Sequence, residues 1–197
     1  HFQISLPEKG PDPDTAALEA EIAQMSVTWD DAFRSELSTG DVPSEAVSKA
    51  LLFRGAFTAG YRETFTPQEA ILDVAELAEL DADKNIRMRA YRLDSDDETV
   101  LRAKIYSRNG SIPLSDCVPI LENMGLFVQF ETGYSVRPEA SPVADAPDTY
   151  WIHAVSMHTR EGQAIDLKTV GERFEQAFVD VWRGRAENDG FNALVLS

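Results

Sequence analysis

With one cysteine, three histidines and no long apolar run, this 197-residue chain excludes several classes of protein at once. Cys117 stands alone, so no intrachain disulfide can form, and its presence fits a reducing cytosol. No diagnostic motif surrounds it, and it reads as a small buried apolar side chain. No stretch approaches the roughly 20 apolar residues that span a bilayer. The opening HFQISLPEKGPDPD has neither the basic nor the apolar region of a secretory signal. A glycine-rich dinucleotide fingerprint and a phosphate loop are both missing. His153 and His158 lie an odd number of residues apart on a predicted strand, which puts them on opposite faces, unable to share a metal. Ser115 has no base in view and reads as a helix cap. No catalytic constellation assembles, so no catalytic, cofactor-binding or metal residue is expected in this stretch.

Basic residues are scarce as well. Eighteen Lys and Arg face thirty-four Asp and Glu, a formal charge of -16. Such a chain repels phosphate, which argues against nucleic acid and anionic membranes as partners. The 43% hydrophobic and 26% charged content is that of an ordinary globular protein with a real core.

Residues 1–13 carry Pro7, Gly10, Pro11 and Pro13 and read as a linker. Residues 14–82 read as a helical segment of three helices. The first is capped by Asp14, carries Leu18, Ile22, Met25, Trp29, Phe33 and Leu37, and ends at Gly40. The second opens at Pro43–Ser44 and aligns Ala50, Phe53, Phe57 and Tyr61 across internal Gly55 and Gly60. The third starts in TPQEA, with Thr66 as cap, Pro67 at the first helical position and Glu69 completing a capping box. Ile71, Val74, Leu77 and Leu80 form its stripe.

At Asn85 the period drops to two. Ile86, Met88 and Ala90 alternate with Arg87, Arg89 and Tyr91; after an acidic turn, Leu101, Ala103 and Ile105 alternate with Arg102, Lys104 and Tyr106. A short helix follows, capped by Ser115 and closed by Gly125. Two further strands flank a Pro- and Ala-rich stretch, Pro138 to Asp148, expected to be an exposed loop that proteases nick. Asp166 caps a last helix with Val170, Phe174, Ala177, Phe178 and Val181 facing inward. The order ββαββα over residues 83–184 is a ferredoxin-like unit with its first strand and helix moved to the end. The fold expected is therefore α+β. Four antiparallel strands, in spatial order third, fourth, second, first, carry two helices on one face, and the three preceding helices form a separate lobe or a brace.

The polar face of the hairpin concentrates positive charge in an acidic protein. Arg87, Arg89, Tyr91, Arg102, Lys104, Tyr106 and Arg108 are candidates for an exposed docking face that takes an acidic partner subunit or a carboxylate ligand. Its charges should then matter for association and little for folding.

Four stretches, AGYRETFTPQEAILDV, IPLSDCVPILENMGLFV, YWIHAVSM and FEQAFVDVWRGRAENDGFNALVL, together resemble the large bacterial NAD-specific glutamate dehydrogenases over about two-thirds of the chain. One departure is Ala154–Val155, where an acidic–aromatic pair is expected after the histidine. The resemblance implies an ACT-type module, ferredoxin-like and ahead of the catalytic domain. It implies a role in regulation or subunit assembly, a homo-oligomeric parent and an amino-acid effector. NAD would belong to the parent enzyme and its glutamate pocket, downstream. Residues 185–197 would begin the connection there, and His1 in place of Met suggests that the first residue is not a native start. The alternative is a free-standing module of the same fold that binds a small molecule such as an amino acid.

Overall fold

The computed structural model describes residues 28–39, 44–81, 83–108, 110–138 and 149–196. Four helices come first: α1 (Trp29–Thr39), α2 (Ser44–Leu51), α3 (Ala59–Thr64) and α4 (Pro67–Ala78). Strands β1 (Ile86–Tyr91) and β2 (Val100–Arg108), helix α5 (Leu114–Asn123), strands β3 (Leu126–Val136) and β4 (Tyr150–Thr159), and helix α6 (Leu167–Trp182) follow. A 3-10 turn occupies Gly190–Leu196.

The strands form one antiparallel sheet in the order β1-β2-β4-β3, the spatial order expected of the rearranged ferredoxin-like unit. Its apolar face carries α5 and α6. Leu101, Ile105, Val155 and Met157 of the sheet pack there against Ile120, Leu121, Phe174 and Phe178. Cys117 is buried in this core, where loss of solvation, reinforced by the charge of Glu131, pushes its thiol up to about 12. It is an inert packing residue.

The other face is covered too. Phe33, Phe53, Phe57, Tyr61, Val74 and Leu77 of the helical segment share a second core with Tyr106, Tyr134, Tyr150 and Ile152 of the sheet. The segment is thus a brace on the sheet. Stacked and edge-on rings bind it: Phe57 lies 4.5 Å from Tyr61 between centroids, and Tyr61 stands edge-on to Tyr134 at 5.6 Å.

The predicted second helix is broken. It ends at Leu51, overlapping four-residue turns follow, and Gly55 takes φ +71°, a left-handed conformation that favours glycine. The break frees Phe57 to bridge Val136 on β3 and lets α3 start afresh at Ala59. Asp14 and most of the predicted first helix, the Gly40 and Pro43 signals, and residues 139–148 of the loop between β3 and β4 lie outside the described residues.

The two capping expectations for α5 and α6 divide. Asp166 accepts from the Lys168 backbone N–H at 3.2 Å and caps α6. Ser115 caps nothing: α5 starts at Leu114, two residues earlier than a Ser115 cap requires, Pro113 holds the cap position without a side-chain bond, and the Ser115 hydroxyl donates to Asp116. Asp166→Ala should therefore cost about 1 kcal/mol, whereas Ser115→Ala should stay within about 0.5 kcal/mol. Urea unfolding of the two variants checks both values.

Candidate functional site

Strand pairing sets Arg89 of β1 directly opposite Lys104 of β2, and Arg87 opposite Tyr106. Like charges opposite one another on a sheet repel. Helix α4 resolves the conflict with Glu69, Asp73 and Glu76. Their spacing of four and then three puts all three carboxylates on one face of the helix. Thr66 accepts from the Glu69 backbone N–H at 3.3 Å and fixes the first turn. The Glu69 carboxylate does not return to close a capping box but reaches the strands instead.

Asp73 and Lys104 are fully buried and lie 2.6 Å apart. Asp73 also accepts from Tyr106 at 2.8 Å, from Arg89 at 3.2 Å and from the Tyr61 hydroxyl. Glu69 takes Lys104 at 2.8 Å and Arg89, and Glu76 takes Arg87 at 2.5 Å. The Lys104 ammonium lies 3.7 Å from the Phe65 ring centroid, with Tyr61 and Tyr91 also in cation–π range. It fills an aromatic cage of its own chain.

The network explains the direction in which each group titrates. Burial would raise the Glu69 carboxyl, but hydrogen bonds and charge from Lys104 and Arg89 outweigh burial and hold it below the ordinary glutamate value. Burial, then the Asp73 charge, pushes the hydroxyls of Tyr61 and Tyr106 far up, so both remain neutral donors. Tyr91 rises to about 12, through burial and the Glu69 charge. For Arg89, burial opposes the charged form, but the surrounding phenol and carboxylates raise its pKa and keep it charged.

These placements correct the expected exposed docking face. Lys104, Tyr106 and Arg108 are buried, and Arg87, Arg89 and Tyr91 are partly covered by α4. Arg102 lies apart, forked onto Asp96 of the hairpin turn by two bonds of 2.8 Å. The acidic surface that meets the basic face belongs to the same chain. Periodicity missed it because it reads one element at a time, although the acidic stripe Glu69–Asp73–Glu76 was visible beside the basic one.

Beyond α4 the same sheet face opens into a cleft of 370 Å³, walled by Phe65, Tyr91, Phe130 and Tyr134 and edged by Glu69 and Arg102. Both charged edges are already paired. On the opposite face His153 is also satisfied, with Nδ1 2.7 Å from Glu131 and Nε2 accepting from the Ile112 N–H at 3.1 Å. Its ring lies over Gly133, where a Cβ would stand 3.4 Å from it. His158 projects from the other face against Phe127. Among the described residues no group of three or more His, Cys, Asp or Glu could hold a metal ion, and no helix is long and apolar enough to cross a membrane.

This architecture can be set beside known proteins. The family model of the glutamate dehydrogenase ACT3 domain matches residues 85–170, the sheet with α5 and the start of α6. The model of glutamate dehydrogenase helical motif 2 matches residues 45–80, which hold most of α2 and all of α3 and α4 of the brace. This chain belongs to the glutamate dehydrogenase family. An NAD-specific glutamate dehydrogenase of Pseudomonas aeruginosa is 34% identical over 191 residues, 97% of this chain and 11% of the relative. That of Halomonas elongata is 32% identical over 96% of this chain and 11% of its own length. That of Mycobacterium tuberculosis is 27% identical over the whole chain and 12% of its length. The chain thus spans about a tenth of the relatives that it matches. The family's helical motif and ACT3 domain meet at the ion network, with Glu69, Asp73 and Glu76 in one and Arg87, Arg89 and Lys104 in the other.

Removing one partner of a buried pair strands the other charge. Asp73→Ala should destabilise the chain by about 3–5 kcal/mol in urea unfolding. In a double-mutant cycle with Lys104→Met, the coupling should exceed about 1 kcal/mol. Additive single effects would mean that the pair does not act as a unit. Glu69 also makes a pH prediction. Its folded pKa is depressed, so its contribution is present above the ordinary value of 4.5 and is lost as pH falls through the folded value. Glu69→Gln should therefore flatten the acid limb of the stability profile below pH 4.5.

Proposed function

We propose that this chain is a noncatalytic regulatory or assembly segment of an NAD-dependent glutamate dehydrogenase, located in the cytoplasm. The parent converts L-glutamate and NAD to 2-oxoglutarate, ammonia and NADH. The observation that carries the reading is the match of nearly the whole chain to about a tenth of enzymes named NAD-specific glutamate dehydrogenase. The chemistry of the chain supports it. The most perturbed groups, Tyr61, Tyr106 and Arg89, are locked into bonds with Asp73 and with each other, which suits a structural joint better than proton transfer. NAD and glutamate then bind elsewhere in the parent, and this segment contributes subunit contacts in a homo-oligomer or passes on the binding of an amino-acid effector.

Two assays test the proposal. The isolated chain, given glutamate and NAD, should produce no NADH; measurable turnover would overturn the noncatalytic reading. In the full-length enzyme, Lys104→Met should leave turnover at saturating glutamate within about twofold of the parent. It should also shift the oligomer distribution or the response to amino acids. Unchanged assembly and unchanged regulation would sink the regulatory and assembly role.

A further inference from the structure

The two edges of the sheet are finished differently. On the β1 edge, α6 supplies side chains to the exposed backbone: Glu175 accepts from the Ala90 N–H at 2.7 Å, and Arg183 donates to the Ile86 carbonyl at 3.2 Å. Backbone groups that another strand would need are thereby occupied. Among the described residues the β3 edge has no such cover along most of its length. They pair it at its end, where Phe57 bridges Val136 and the Arg137 N–H donates to the Ala56 carbonyl at 3.0 Å. From Phe127 to Gly133 no described residue continues the ladder begun by Ala56–Phe57.

Natural edge strands are commonly guarded by lysine, proline or an inward charge. Residues 126–136, LFVQFETGYSV, contain no Lys, Arg or Pro. Their one charge, Glu131, is engaged with His153. The bulge between Val128 and Phe130 leaves Gln129 out of the register, exposed and uncharged. It sets Phe127 opposite His158 and Phe130 opposite Ser156, so both rings emerge on the cleft face. Phe130 is 72% exposed and Phe127 49%. The cleft beside Phe130 has the size and aromatic walls to take a side chain.

We infer that the β3 edge from Phe127 to Gly133 is completed by an added strand, supplied by a part of the full-length polypeptide outside these 197 residues. The strand continues the ladder that Ala56–Phe57 begins, and it sets an uncharged apolar side chain over Phe130 into the cleft. The inference rests on the reading of this chain as part of a longer enzyme, in which nine-tenths of the residues lie elsewhere. Two features disfavour a second copy as the occupant. Each copy carries a charge of -16. Moreover, a two-fold centred on Thr132, which pairs Phe130 with Tyr134, would bring Val128 opposite Val136 of the other copy, where Phe57 is already bound. The mode is strand addition: main-chain bonds give affinity, and a pocket for alternate side chains gives specificity.

Amide hydrogen exchange, measured on the 197-residue chain and on the full-length polypeptide, tests this directly. The outward-facing amides of Phe127–Gly133 should exchange quickly in the short chain and roughly 100-fold more slowly in the full-length protein. Phe130→Arg, at a position too exposed to affect folding, should return those amides to fast exchange in the full-length protein. Equal rates in the two proteins would overturn the inference, as would protection in the short chain that grows with its concentration and so marks a second copy. Dehydrogenase activity of the full-length protein is a separate readout: its absence would defeat the functional reading, whereas the exchange rates decide the added strand.

Discussion

Lys104 is fully buried in the middle of a strand, directly across from Arg89. Water does not reach Lys104, Arg89 is only partly exposed, and an apolar cover would leave the buried charge unpaired. The structure resolves this with a pair of carboxylates delivered from outside the sheet in fixed geometry. Glu69 and Asp73, one helical turn apart, supply them, and much of the brace follows from that requirement. Thr66 caps α4 so that Glu69 points at the strands. The break at Gly55 lets α3 place Tyr61 against Asp73. Trp29 of α1 then donates to the Phe65 carbonyl at 3.0 Å, tying the first helix to the same corner.

Buried ion pairs often add little to stability compared with apolar residues of the same shape. What they add here is a single allowed position. Apolar contacts between α4 and the sheet would tolerate a slide along the strands, since packing is non-directional. A slide of one residue along β2 would set Asp73 beside Ala103 or Ile105, whose side chains point to the opposite face, and would pull it away from Lys104. The network therefore fixes the register between the helical motif and the ACT3 domain, two units that the family models recognise separately.

The strand alternation, the reversed-end ferredoxin order and the caps at Thr66 and Asp166 were legible because each is a local signal with one physical meaning. The exposure of the hairpin's basic face was not. An alternating strand with charge on one side ordinarily has that side in water, and nothing within residues 86–108 says otherwise. The contrary information sits in α4, as three carboxylates on the face beside Val74 and Leu77. Only a comparison of stripes between elements would have joined them. The Ser115 cap failed for a related reason: Pro113 preorganises the entry to α5, so the helix begins without a side-chain acceptor. The break at Gly55 was signalled by the glycine itself, but the reward for breaking, the Phe57–Val136 bridge, is long-range.

Charge accounting links the joint to the rest of the surface. Glu69, Asp73, Glu76 and Asp96 match Arg87, Arg89, Arg102 and Lys104 one for one, so these eight groups carry no net charge. The excess of -16 therefore lies outside them. A charge-matched, ring-walled and partly open sheet face on an otherwise strongly acidic body is a region where another polypeptide can approach with little charge repulsion. The open β3 edge borders that same region, with Phe130 and Thr132 lining its cleft. The ion pairs that hold the brace in place thus also leave the adjoining cleft free of net charge, which is the electrostatic condition for apolar contact there.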